Sequence, residues 1–266
     1  MRRATLAIAA LFLPALLPAQ RTLADRLRGM GTKTVAFSAA ARPEVCGDGI
    51  RSYNDGLSGP NTRYYDGFML LTHEPWDTKI APCEKGPVRV MVRMVEGVPS
   101  WLRVAAGPLA VLGDTVTDLG MVPVADAAAF LRTLAREGEG RASTAALQPL
   151  VLLDSTPRWE VLVAAARDST RPQSYRRRAA DLLARAAAAT IAAEPNAEDE
   201  ERSARREAVN ALARKRDQGD DVIPILLDIA QKNAHRDARV AALYQLGQTY
   251  DRRAIDLFAG LLAGRR

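Results

Sequence analysis

A pattern of the form Arg-x-x-Ala-x-x-x-Leu-small recurs in the second half of the chain, and no other feature restricts the possible folds as much. It reads Arg176, Ala179, Leu183-Ala184, then Arg205, Ala208, Leu212-Ala213, then Arg239, Ala242, Leu246-Gly247. Successive copies start about 29 and then about 34 residues apart, a period at which each repeat is one supersecondary unit that buries its apolar face only against a neighbour. Within a copy the apolar residues fall three and four apart, as at Ala179, Leu182, Leu183 and Ala186. That spacing collects them on one face of a helix. The small alanines on this face allow a second helix to come close.

Further apolar stripes lie between the copies: Trp159, Leu162, Val163 and Ala166 before the first, and Val222, Ile225, Leu226 and Ile229 before the third. Another begins near Ala254, with Ile255, Phe258, Leu261 and Leu262. The alternation of helix and turn resembles the HEAT-like repeat family over roughly residues 144–266, and Arg239-Val-Ala-Ala-Leu-Tyr-Gln-Leu-Gly247 is its nearest match here. The resemblance implies an α-helical solenoid, and it implies that each repeat arginine bonds an acidic residue of the turn before its helix. That turn position holds Thr170, Asp199 and Asn233, so only the middle copy keeps the acid. Arg176, Arg205 and Arg239 are accordingly read first as structural and second as a row that contacts a partner. One departure is the stretch between Ala179 and Ala208, where only Ala187 to Ala193 precedes Pro195, so the second repeat is expected to be abbreviated or its helices reassigned.

The first half has a different period. Thr34 to Ala40 is a short β-type run, and Val88, Val90, Val92 and Met94 alternate with Arg89, Met91, Arg93 and Val95, the pattern of a strand with one buried face. Glu96 to Ser100 offers turn residues before Trp101 to Ala105, which predicts a hairpin, with a further strand around Tyr64 to Thr72. A helix from Ala125 to Arg136 would cover the sheet with Ala127, Phe130, Leu131 and Leu134, and Gly138-Glu139-Gly140 would mark the boundary with the repeats. The fold class expected is α+β: a small disulfide-linked β-rich module over residues 20–140, followed by an all-α HEAT-like solenoid over 141–266.

Residues 1–19 read as a secretory signal peptide, with Arg2 and Arg3, an apolar run from Ala4 to Leu17, and Ala19 before Gln20. A retained membrane anchor and twin-arginine export are the variants of that reading. The expectation is a mature chain from about Gln20 that is exported, periplasmic or extracellular, with no transmembrane segment. Cys46 and Cys83 are the only cysteines. In an oxidising compartment they pair into a disulfide closing a loop of about 38 residues, which stabilises the fold by roughly 4 kcal/mol in the chain-entropy model. The same loop carries Tyr64, Tyr65 and Trp76. These aromatics either fill a small β core or present a partner-contacting surface.

The formal net charge of +6 raises the question of an acidic partner. The basic residues are mostly arginine in an alanine-rich chain, and runs such as Arg176-Arg177-Arg178 read as solvated helix faces, which argues against nucleic acid. Nucleophile elbows, phosphate-cradling Gly-Lys runs, His-Glu-x-x-His pairs and Gly-rich dinucleotide turns do not occur in the chain. His73 and His235, the only two histidines, lie too far apart in sequence to suggest a shared site. No catalytic residue, metal ligand or cofactor-binding residue is assigned and no cofactor is expected. The reading is an exported protein-interaction scaffold with a protein partner; the alternative is an envelope hydrolase with its site in the N-terminal module.

Overall fold

The computed structural model describes residues 22–43, 45–47, 49, 52–54, 84–109, 112–154, 159–192, 202–219 and 221–264. The signal-peptide segment, the proposed strand at 64–72, Tyr64, Tyr65, Trp76, Cys83 and Asp199 lie outside them. The chain is mixed α and β. Among the described residues the first element is helix α1 (Leu23–Arg28), with the Thr22 hydroxyl accepting from the Asp25 N–H at its N-terminus.

Four strands form the main sheet: β1 (Thr34–Ala39), β5 (Val88–Val95), β6 (Val98–Ala106) and β7 (Val116–Met121), in the order β6-β5-β1-β7. Strand β5 is antiparallel to both its neighbours, β1 and β6, whereas β7 runs parallel to β1. The predicted alternation places Val88, Val90, Val92 and Met94 in the core, and register sets Val35 against Val92 and Phe37 against Val90 on the same face. The hairpin turn is tighter than the sequence suggests. Only Glu96 and Gly97 form it, both at positive φ (51° and 78°), so Val98 to Ser100 join β6 and Val95 pairs with Val98. This is the two-residue connection whose twist matches the strands it joins. A smaller sheet of β2 (Cys46–Gly47), β3 (Ser52–Asn54) and β4 (Glu84–Lys85) has the order β3-β2-β4, with Cys46 opposite Lys85.

Helix α2 (Val124–Glu137) covers the main sheet as expected. Ala127, Phe130, Leu131 and Leu134 are buried, and the Phe130 ring meets Phe37 edge-on at 5.9 Å. Beyond Gly138 the short helices α3 (Gly140–Ala145) and α4 (Leu147–Leu152) pack on sheet strands, on α2 and on the helices that follow. One contiguous core therefore runs from α1 to α10.

The helical part consists of α5 (Trp159–Arg167), α6 (Gln173–Ala192), α7 (Arg202–Arg214), a 3-10 turn (Lys215–Gln218), α8 (Ile223–Lys232), α9 (Arg236–Gly247) and α10 (Arg252–Leu262). All three copies of the repeat pattern are helical. Their packing order is first, third, second: α9 packs on both α6 and α7, which make little contact with each other. This differs from the sequential stack that the repeat resemblance implies. Two causes are visible. The Ala187 to Ala193 tract, free of helix breakers before Pro195, continues α6 to Ala192 instead of making a separate partner helix. The second copy is also the most polar, and Ala208 is exposed where Ala179 and Ala242 are fully buried. In α8, Ile225 is half exposed while Leu226 carries the packing. His235 stands exposed at the N-terminus of α9.

At the contact of α6 with α9 the small ends of two copies meet. A methyl group added at Gly247 would lie 2.4 Å from Cβ of Ala184, so the first and third copies touch through their last pattern positions.

Candidate functional site

A crevice of about 820 Å³ lies at the junction of the sheet with the helical part. That volume lies within the range of ligand sites, which favour such junctions. Leu102 and Val104 of β6 form part of its floor. One wall is α3, with Arg141, Ser143 and Thr144, and the other is the start of α6 with the loop before it, including Arg171, Ser174, Tyr175 and Arg178. Among the described residues Glu139 is the only carboxylate that lines it.

Two of the arginines are held by the fold. Arg171 reaches the end of α2, where its Nη2 donates to the Gly138 carbonyl at 2.8 Å and to the Ser143 hydroxyl at 2.7 Å, and its Nη1 to the Arg136 carbonyl at 3.3 Å. A cation there satisfies orphan carbonyls and complements the negative end of the helix. Its guanidinium also sits 4.6 Å from the Tyr175 ring centre. Arg178 donates to the Gln148 side chain at 2.6 Å and pairs with Asp181 at 3.3 Å. The preceding turn is shaped by Asp168, which accepts from the N–H and hydroxyl of Thr170 at 3.0 and 2.6 Å. Those bonds hold the Asp168 carboxyl below its ordinary value.

Tyr175 is buried and donates its hydroxyl to the Ala135 carbonyl at 2.8 Å. Burial pushes its phenol above the ordinary value of 10.0. A raised folded-state value means that the neutral phenol contributes stability that is complete below pH 10.0 and is lost as the pH rises through the folded-state value. Tyr175→Phe should therefore cost about 1 kcal/mol at neutral pH through the lost hydrogen bond. It should also flatten the alkaline fall in stability, read from urea denaturation at a series of pH values. An unchanged alkaline fall would remove Tyr175 as its cause.

The three pattern arginines have three different surroundings. Arg176 lies over the Tyr250 ring at 5.4 Å. Arg205 pairs with Asp237, an acid in the first turn of α9, Nε to Oδ2 at 3.1 Å. Arg239 donates to the Asn233 carbonyl at 3.4 Å, in the turn six residues before it. They do not form a shared site and none of them lines the crevice. Sequence reading passed over Arg171 and Tyr175, because their partners on α2 lie 33 to 40 residues away and no local spacing announces them.

Among the described residues no group of three or more His, Cys, Asp or Glu could hold a metal ion, and no helix is long and apolar enough to cross a membrane. Cys46 lies in β2 and its proposed partner outside the described residues. No family model, curated protein or solved structure matches the chain.

Proposed function

We propose that the chain is an exported, non-catalytic interaction protein: a disulfide-linked β-rich module joined to HEAT-like helix pairs, α5–α6 and α8–α9, that together receive a protein partner. The observation that carries the reading is the crevice between the two parts. It has three arginines, several hydroxyl groups and a single carboxylate on its walls, and two of its arginines are fixed by bonds to the protein itself. A preformed recess whose arginines outnumber its carboxylate suits recognition of a complementary surface. The disulfide is supported by β4, which begins at the residue after Cys83 and pairs with β2 at Cys46 and Gly47. That pairing brings the ends of the intervening loop together.

The test is affinity capture with the full-length mature chain from an extract of the producing cells, followed by cross-linking and mass spectrometry. A partner cross-linked to residues of α3 or the start of α6 supports the reading; capture of nothing, or turnover of a hydrolase substrate panel, removes it. In the same preparation, N-terminal sequencing should begin near Gln20. Thiol labelling of the native protein should find no reactive cysteine, and two labelled thiols per chain would overturn the disulfide.

A further inference from the structure

We infer that the crevice receives an acidic peptide segment with aliphatic residues between its carboxylates, and that Arg141 is the residue that reads its charge. The inference rests on the binding function proposed above. Of the three crevice arginines, Arg171 and Arg178 spend terminal N–H groups on Gly138, Ser143 and Gln148. They supply positive potential and shape. Arg141 is exposed on α3, lines the crevice, and has no carboxylate partner among the described residues. Its planar fork is free to take a carboxylate in the two-bond geometry that guanidinium groups favour. Ser174, exposed across the crevice at the start of α6, offers a hydroxyl donor to the same ligand.

The floor decides between ligand classes. Leu102, Val104 and the Tyr175 ring are apolar, so a bare inorganic anion would leave them unmatched. An extended chain alternates its side chains between two directions. A Leu-Glu alternation can therefore set aliphatic groups on the floor while its carboxylates meet Arg141. The crevice is open to solvent, which admits a chain passing through it.

The experiment uses the full-length mature protein and two fluorescein-labelled hexapeptides, (Leu-Glu)₃ and its uncharged isostere (Leu-Gln)₃, followed by fluorescence anisotropy. The Glu peptide should bind, and the Gln peptide should bind about tenfold more weakly or worse, the scale of one charge-assisted hydrogen bond. Arg141→Gln should weaken the Glu peptide by about tenfold. Arg177→Gln, at an exposed α6 position outside the crevice, should leave binding unchanged. Raising salt from about 0.05 M to about 0.5 M should weaken the wild-type complex, since screening acts on exposed charges. Equal binding of the two peptides, no binding of either, or an unaffected Arg141→Gln variant overturns the inference. So does displacement of the peptide by free glutarate at matching concentration, which would make this a small-dicarboxylate site. Capture of a partner without peptide binding would remove the crevice assignment and leave the interaction function standing; failure of both removes the function as well.

Discussion

Arg205→Ala will lower the stability of the protein by about 3–5 kcal/mol, the range for removing one partner of a buried ion pair. The side chains of Arg205 and Asp237 are 18% and 2% exposed, and two contacts join them, Nε to Oδ2 at 3.1 Å and Nη2 to Oδ1 at 3.5 Å. Truncating the arginine leaves a carboxylate with almost no access to water and without this cation. The neighbouring Arg206→Ala removes the same charge from an exposed position and should stay within about 0.5 kcal/mol of wild type. Urea denaturation of the full chain measures both. A paired replacement, Arg205→Leu with Asp237→Leu, should recover most of the loss, because an apolar pair carries no desolvation penalty. If Arg205→Ala matches Arg206→Ala in stability and instead abolishes partner capture, the arginine row is a recognition surface.

The second large effect is expected where α9 crosses α6. In Gly247→Ala the new methyl would stand 2.4 Å from Cβ of Ala184, and 3.6 Å from the Ala180 carbonyl oxygen. Contacts of 2.4 Å between carbons force the helices apart, and overpacking of this kind costs about 1–3 kcal/mol. Alanine improves helix propensity over glycine by up to about 1 kcal/mol, so the variant should be net destabilised. The decisive comparison is Gly247→Ala combined with Ala184→Gly, which moves the methyl from one helix to the other. The double variant should be more stable than Gly247→Ala alone. If it is less stable, the two positions do not share the contact.

Periodicity made much of this architecture readable. Val88 to Met94 announces β5 by its alternation, and Phe130, Leu131 and Leu134 announce the covering face of α2. Each of these segments decides its buried side by itself. Strand β7 could not be read this way: Thr117, Asp118 and Gly120 give it no apolar alternation, and its place comes from parallel pairing with β1 at the sheet edge. The helix order was hidden for a related reason. A repeated pattern states that a face is to be buried and is silent about which copy buries it. Arg205 illustrates the limit, since its pattern is the same as that of Arg176 and Arg239, yet among the three it pairs with a carboxylate on α9. The crevice lay further out of reach, because Arg171 acts on carbonyls of α2 that only the folded chain brings to it.

The interposed position of α9 has a consequence for insertions and deletions. In a linear repeat array each unit touches only its neighbours in sequence, so excising one lets the flanking units close up. Here α6 and α7 follow one another in the chain but are held apart by a helix made later. Losing residues 202–214 would strip an outer layer and bare one side of α9. Losing residues 236–247 would take out the middle, leaving Arg205 without Asp237 and Ala184 without Gly247. The copies are alike in sequence and unequal in dispensability, so shortening of this chain by whole repeats has to begin at the second copy.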